Sequence, residues 1–339
     1  MRRLIAGLVL TFAFIAPAAA QPACRGDDLV ARMKKDEPQR YERLAREAAA
    51  IPFGAARMYR LSKGDGPPSY LFGTMHSSDP RALAWIDQIE PRLAEADIVA
   101  IENTQVDPGR IDPAAAFKMA TMMIAKPNEL LSRYLDEAEL NGVAALVAPK
   151  MAMSPAAAKR LRPWALMLSL AYPDCESTRA KQDGVVDFNL RLRAETLGTP
   201  VQGLETIEDM LAALNEPAME AQIDVLRSAK AMFGMMEDVM ETMTRLLDRG
   251  ETGLLSAYAR DETARTLKDP RNYDVFMRSL LDRRNAGMFA SARALVEQGP
   301  TVIAVGALHL PGEKGLAKMF ADAGYKVEPV VLQRTTSDE

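Results

Sequence analysis

The sequence is poor in the residues that most often bind metals or cross-link a chain. Its 339 residues include only two cysteines and two histidines, and aromatic residues make up 6% of the composition. A structural zinc site uses about four cysteine or histidine ligands, so these counts exclude a zinc-finger type of protein. G-x-G-x-x-G and Walker motifs, internal repeats and low-complexity tracts are also absent, which leaves no signature of a nucleotide-binding or repeat protein.

Long hydrophobic runs are absent except at the N-terminus. There Arg2 and Arg3 precede LIAGLVLTFAFIA, and Ala18–Ala20 follow. The run is too short for a membrane span, which needs about 20 residues, so residues 1–20 are predicted to be a cleaved signal peptide. The residues before Cys24 do not match a lipoprotein signal, and no lipidation is expected there. The product is therefore expected to be periplasmic or secreted, without a transmembrane segment.

The charge balance of the chain is negative. Loss of Arg2 and Arg3 takes the net charge from −4 to −6, which argues against a nucleic-acid partner because such partners are held mainly by Lys and Arg. The remaining length suits one large domain or two smaller ones. In an oxidising compartment Cys24 and Cys175 can form a disulfide, which we favour over two separate thiols.

The apolar periodicity predicts an α/β fold: a small mixed sheet flanked by helices, with a long all-helical insert. Residues 21–54 are predicted to be a helical extension and 333–339 a polar tail. The predicted elements are a helix within 27–49, a hairpin around the turn 63–68, a helix at 81–95, a strand at 97–103, a helical insert at about 108–180, a helix at 183–198, a strand at 199–206, helices over 207–296, a strand at 301–309, a helix at 313–323 and a final strand at 325–332.

The two histidines lie in matching contexts 233 positions apart. His76 ends SYLFGTMH and His309 ends TVIAVGALH, so each follows an apolar run and a glycine three positions earlier. Such a glycine permits unusual dihedral angles or the close approach of another backbone. A hydrogen-bonded structural role is the ordinary reading of a single histidine after a strand, but the duplication favours a shared site.

Two glutamates also follow predicted strands. Glu102 follows DIVAI and Glu205 follows VQGL, and ligands of open α/β sheets bind beyond the carboxyl ends of strands. Two imidazoles and two carboxylates would suit a divalent transition metal that activates water, and a remaining carboxylate could act as general base. The alternative is that Glu102, Glu205 and Glu208 simply cap the helices that follow them.

Three further polar residues could belong either to the site or to the protein surface. Arg284 and Asn285 lie on a predicted helix before the His309 strand, where they either form a surface salt bridge or orient a substrate. Asp187 is a weaker candidate for the site, and a role on the surface of its helix is the alternative. The methionines Met232, Met235, Met236, Met240 and Met243 share one helical face, which is typical of core or of a flexible apolar wall rather than of a copper site.

The motifs GTMH and GALH, the strand end IEN, the run GVVDFNLRLRAETLGTPVQGLET and the RRN helix together resemble the TraB/GumN family, which includes the TIKI metalloproteases and the pheromone-shutdown proteins. The resemblance covers residues 55–332. It implies an arrangement like that of the erythromycin-esterase-like and haem-binding ChaN-like proteins. His76 and His309 match its motif histidines, Glu102 and Glu205 its acidic positions, and Arg284 and Asn285 its Arg-Asn pair.

What the resemblance implies is metal-dependent hydrolysis. The leading hypothesis is an exported peptidase, acting on peptide or protein, with manganese, cobalt, zinc or iron bound by His76, His309, Glu102 and Glu205. Glu102, Glu205, Arg284 and Asn285 are the candidate catalytic residues. Ester hydrolysis, or a non-enzymatic accessory protein that binds haem, a metal or a peptide, are the alternatives.

Overall fold

The computed structural model describes residues 24–104 and 113–335. The predicted signal peptide lies outside these residues, as do the start of the helical insert and the last four residues of the polar tail.

Six strands form one mixed sheet, as the sequence predicts. They are β1 (Met58–Ser62), β2 (Ser69–Thr74), β3 (Ile98–Ile101), β4 (Val201–Gly203), β5 (Thr301–Gly306) and β6 (Lys326–Pro329), in the order β4-β3-β5-β2-β1-β6. The strands β4, β3, β5 and β2 run parallel. β1 is antiparallel to β2, as in the predicted hairpin, and β6 is antiparallel to β1.

Helices make up most of the remaining described residues. The α-helices are α1 (Leu29–Asp36), α2 (Pro38–Ala49), α3 (Pro80–Leu83), α4 (Trp85–Glu95), α5 (Pro113–Met123), α6 (Glu137–Lys150), α7 (Pro155–Ala158), α8 (Pro163–Leu170), α9 (Asp174–Asp183), α10 (Val186–Thr196), α11 (Ile207–Asn215), α12 (Met219–Met232), α13 (Met236–Asp248), α14 (Thr252–Ala264), α15 (Arg271–Met277), α16 (Arg284–Val296) and α17 (Leu316–Asp322).

Two predicted helices are each divided in the structure. The helix expected within 27–49 breaks at Glu37, because Pro38 lacks a backbone N–H and begins α2 instead. The helix expected at 81–95 is divided into α3 and α4 at Ala84. Asp79 caps α3 and Pro80 is its first residue, as the sequence predicts.

Several predicted strands are shorter in the structure because a strand ends where its partner ends. β4 pairs only with β3, over three residues, so the strand expected at 199–206 is reduced to Val201–Gly203. The strand expected at 301–309 ends at Gly306, and Ala307–His309 form a 3-10 turn. The last predicted strand is reduced to Lys326–Pro329.

The sheet is buried on both faces, which explains the nearly continuous apolar runs of its strands. Alternate strand residues contribute to two cores: Phe72 and Val302 lie in one, and Leu71 and Ile303 lie in the other. The first face is covered by α1–α4, α10, α13 and α14, and the second by α16 and α17.

The predicted helical insert has a core of its own. Leu131, Val147 and Trp164 pack there against residues of α11, α12 and α15. Short helices joined by turns make up the described part of the insert, and its one β element is an isolated bridge between Ile124 and Leu161.

A disulfide joins Cys24 to Cys175, with Cα atoms 5.5 Å apart, so the predicted pairing is confirmed over two separate thiols. Within the described residues, the structure contains no helix with the length and apolar character needed to cross a bilayer.

Candidate active site

Four parallel strands deliver the site residues to one edge of the sheet. His76 lies two residues beyond β2, Glu102 directly follows β3, Glu205 lies two residues beyond β4, and His309 ends the turn that follows β5. The carboxyl ends of parallel strands meet at the same edge, which is where ligands of open α/β sheets bind.

The glycine of each G-x-x-H motif makes room for a neighbour. A Cβ atom on Gly73 would lie 3.0 Å from the Cα atom of Ala307 and 3.1 Å from the Cδ1 atom of Leu310, in the turn that carries His309. A Cβ atom on Gly306 would lie 3.1 Å from the Oε1 atom of Glu102. Neither glycine, both being in the described part of the chain, has a positive φ. Close approach, not an unusual backbone conformation, therefore accounts for both motifs.

His309 is buried and held in one orientation by Asn285. Its Nδ1 atom lies 2.6 Å from the Asn285 Oδ1 atom, and the Asn285 amide nitrogen donates to the Lys314 carbonyl at 2.8 Å. The amide orientation makes the His309 Nδ1–H the donor, so Nε2 carries the lone pair. This Nε2 lies 3.3 Å from the Nη1 atom of Arg284 and 3.7 Å from the Oε1 atom of Glu102.

His76 is more open, with 51% of its side chain exposed. Its Nδ1 atom lies 2.7 Å from the Oδ2 atom of Asp187, in the first turn of α10. The hydroxyl of Thr74 donates to the other oxygen of Asp187 at 2.6 Å. Asp187 therefore orients His76, and the surface role that the sequence leaves open for Asp187 is wrong.

Arg284 joins the two glutamates. Its Nη2 atom donates to Glu102 at 2.7 Å and to Glu205 at 2.5 Å, and its Nε atom donates to both oxygens of Glu205. The remaining oxygen of Glu102 accepts the N–H of Gly306 at 2.6 Å. Glu102 and Glu205 thus face the cluster instead of capping helices; Thr206 and Asp209 form the capping box of α11.

A π-helical segment, residues 278–283, brings Arg284 and Asn285 into the cluster. Both side chains are buried, at 9% and 2% exposure, so the surface alternative for this pair is wrong. Wider helical turns of this kind are rare and frequently occur at functional sites.

The surroundings move the pKa values of the two histidines in opposite directions. The Asp187 carboxylate, which lies within hydrogen-bond distance of the half-exposed ring, raises the pKa of His76 to about 9. Burial lowers the pKa of His309 to about 4, and Arg284 and His76 add to this. Near neutral pH, His76 is therefore charged while His309 is a neutral imidazole.

The two glutamates also differ. Burial alone would raise the pKa of Glu102. It is outweighed by His309, which is protonated in the acid range where Glu102 titrates, by the charges of His76 and Arg284 and by the N–H of Gly306, and the pKa falls to about 2. Burial raises the pKa of Glu205 despite Arg284. Opposed shifts within one cluster are typical of catalytic sites.

The residues as placed do not fit a metal ion. Among the described residues, no group of three or more His, Cys, Asp or Glu side chains is arranged to hold one. The Arg284 guanidinium already pairs with both glutamates, so a metal would be a second cation on the same carboxylates. The predicted transition metal stays a prediction.

Other candidates lie elsewhere. Glu208 is partly exposed and pairs with Lys118. Met240 is buried in the core, and Met235 and Met243 pack against that core. Tyr172, which lies between α8 and α9, is not among the residues predicted from the sequence; burial and the charges of Asp187, Glu176 and Glu102 raise the pKa of its hydroxyl. A tyrosine in a loop between helices carries no sequence signal for this position.

Fold and site together define a mixed α/β protein with a two-histidine, two-glutamate cluster at the carboxyl edge of its parallel strands. The chain belongs to the TraB/PrgY/gumN family, whose family model matches residues 57–329. Comparisons with curated proteins and with solved structures gave no significant match.

Proposed function

We propose that the protein is a hydrolase that cleaves a carbonyl compound, most simply a peptide amide, by acid–base catalysis at this cluster. The observation that carries the proposal is the difference between the Nδ1 partners of the two imidazoles. His76 faces the Asp187 carboxylate, whereas the buried His309 faces the neutral amide oxygen of Asn285 and has Glu102 3.7 Å from its Nε2 atom. Two titratable groups with pKa values pushed to opposite sides of neutrality supply an acid and a base at the same pH.

Each side chain has a role in this proposal. His309 accepts a proton from the attacking water at Nε2, because Asn285 fixes its other nitrogen as the donor. The water takes the place of the long 3.3 Å contact between Nε2 and Arg284. His76, held by Asp187, donates a proton to the leaving group. Arg284 and the N–H of Gly306 fix Glu102, whose negative charge stabilises the His309 imidazolium as it forms.

Export to the periplasm or beyond, and a peptide or protein substrate, are parts of the proposal that come from the sequence. Metal dependence is tested separately, by the metal content of the purified protein and by activity after treatment with a chelator. No described feature of the methionines favours the haem-binding alternative. Met240 lies in the hydrophobic core, and Met235 and Met243 pack against that core.

The test is hydrolysis of a fluorogenic peptide library and a panel of chromogenic esters by the wild type and by Glu102→Gln, His76→Ala and His309→Ala. Each substitution is expected to reduce kcat/KM on the order of 100-fold, the usual scale for loss of acid–base catalysis. Glu208→Gln is the matched control, because Glu208 is a nearby glutamate outside the cluster. Equal activity of Glu102→Gln and the wild type would contradict the proposal.

A further inference from the structure

His76 has less direct support than His309. Its ring contacts Asp187 but is otherwise half open, so its position depends on the backbone on its C-terminal side. There Ser77 and Ser78 are both fully buried, at 0% exposure. The carbonyl of Ser77 accepts the N–H of Val186 at 2.9 Å, the residue before Asp187. The segment after His76 therefore sets the distance between His76 and its aspartate.

A buried glutamate from another helix holds this segment. Glu176 is 0% exposed, and its Oε1 atom accepts the Ser78 N–H at 2.5 Å and the Ser78 hydroxyl at 3.0 Å. Its other oxygen pairs with Arg179 at 2.5 Å. A buried ion pair is weak evidence for stability, because desolvation offsets its attraction. The contact with Ser78 instead fixes geometry.

The helix that carries Glu176 has almost no hydrophobic attachment. Of the ten residues of α9, all described, only Cys175, Glu176 and Arg179 are buried. Cys175 is bonded to Cys24, and the segment after Cys24 binds α13, where the Arg25 N–H donates to Glu237 and the Leu29 N–H donates to Thr242. The disulfide thus cross-links α9 to the N-terminal segment, in addition to the backbone that continues from α9 into α10.

We infer that Glu176 is a positioning residue for His76 and that it holds this position only while the Cys24–Cys175 disulfide is intact. The inference rests on the proposed function, in which His76 donates a proton. Without the disulfide, α9 is held mainly by polar contacts, such as those of Lys150 with Asp174 and of Arg179 with Asp79. These contacts hold Glu176 against Ser78 less firmly, so the His76–Asp187 pair loses its fixed geometry. The site is then complete only in an oxidising compartment.

Reduction of the disulfide requires a dithiol. The dithiol supplies two electrons and two protons, the S–S bond breaks to give the thiols of Cys24 and Cys175, and the reductant becomes a cyclic disulfide. The reaction is reversible, so reoxidation is expected to restore the site.

The chain's two histidines make the test direct. Two-dimensional NMR of protein labelled at the histidine ring carbon gives two ring signals, assigned with His309→Gln. On treatment with a dithiol at constant pH, the His76 signal is expected to shift and broaden while the His309 signal stays. The kcat value is expected to fall on the order of 10- to 100-fold, as it does when a catalytic group is displaced by about 1 Å. The dithiol should have no effect on a Cys24→Ser/Cys175→Ser variant, whose spectrum should match that of the reduced wild type.

Substitution of Glu176 tests the second step in the oxidised chain. Glu176→Ala is expected to reproduce the His76 shift, while Glu176→Gln keeps an oxygen acceptor for Ser78 and restores most of the native signal. Glu139→Gln is the matched control, since Glu139 also pairs with an arginine but lies away from the cluster.

An unchanged His76 signal in the reduced, folded chain overturns the inference. If the reduced chain no longer unfolds cooperatively, the test uses the oxidised Glu176→Ala variant instead. An unchanged His76 signal in that variant overturns the inference. The NMR readout needs no substrate, so a chain that hydrolyses nothing would contradict the proposed function without deciding this inference.

Discussion

The two imidazoles differ because their Nδ1 atoms have different partners. Asp187 presents a carboxylate to the exposed His76, while Asn285 presents a neutral amide oxygen to the buried His309. A carboxylate favours the charged imidazolium, whereas burial beside a neutral partner favours the uncharged ring. The two histidines thus act as different chemical groups at one pH.

Replacement of the charged partner should move the upper limit of the activity. In Asp187→Asn the pKa of His76 is expected to fall from about 9 towards the ordinary 6.5, because its largest stabilising charge is lost. A group that must be protonated for activity then loses its proton at lower pH, so the alkaline limb of the pH–rate profile should move down. The profile and the NMR titration of His76 measure this. Asp87→Asn, at an exposed aspartate, is the control; an unmoved limb would count against His76 as the acid.

The glycines offer a steric test at the same scale. Gly306→Ala would place a Cβ atom 3.1 Å from the Oε1 atom of Glu102, so the carboxylate must move. We expect kcat/KM to fall by roughly tenfold or more, as for a small misplacement of a catalytic group. Gly66→Ala is the control, because a Cβ atom there meets no atom within 4 Å. Wild-type kinetics in Gly306→Ala would show that Glu102 tolerates displacement.

The sequence places His76, His309, Glu102 and Glu205 at strand ends because apolar runs and the residues after them are local features. The role of Asp187 could not be found in this way. It meets His76 from 111 positions away, and a carboxylate in the first turn of a helix looks the same whether it faces solvent or an imidazole.

At the scale of elements, the π-helical segment is the feature that sequence reasoning could not supply. Residues 278–283 read as an ordinary helix, since their apolar and charged positions fit a period of 3.6 residues. The wider turn is selected by the two residues at its C-terminal end, because Arg284 must reach Glu102 and Glu205, and Asn285 must reach His309. Tertiary contacts, not local propensity, determine it.

The packing of α2 on α14 should weaken in acid. Arg40 and Arg43 donate to Asp261 at 2.5 and 2.6 Å. Burial alone would raise the pKa of Asp261, but these arginines outweigh it and lower the pKa. Since the folded pKa lies below the unfolded one, the stabilisation is present above the unfolded value and is lost as pH falls through the folded value.

Asp261→Asn should therefore lower the free energy of unfolding by about 2 kcal/mol at pH 7, and the difference from the wild type should shrink as the pH falls below 4. Urea denaturation at several pH values measures both. The more exposed Glu47, which pairs with Arg43, provides the control Glu47→Gln. A difference that is constant with pH would contradict the assignment to charge.

At the scale of the whole molecule, the predicted mixed α/β architecture is confirmed, but the order of strands could not be read from the chain. The pairing of β5 between β3 and β2 brings the turn that carries His309 to the same edge of the sheet as His76. The position of β5 in the sheet depends on how the apolar faces of all the strands and helices pack together. No local sequence pattern encodes this packing.

The disulfide should contribute strongly to global stability. It closes a loop between residues 151 positions apart, for which chain entropy alone gives about 5 kcal/mol. A dithiol should therefore lower the urea midpoint of the wild type but not that of Cys24→Ser/Cys175→Ser. Equal midpoints for the reduced and oxidised wild type would show that the unfolded chain is already constrained.

The attachment of α9 also limits how far this protein can be shortened. Cys175 and Glu176 lie inside the region predicted as an insert at 108–180. An insert of this kind is an obvious choice for deletion. A shortened variant in which a short linker replaces this region would keep all six strands and both histidines. It would nevertheless lose the Glu176 carboxylate that accepts the Ser78 N–H. The shortest chain that keeps the site intact must therefore include α9 and Cys24, the disulfide partner of Cys175.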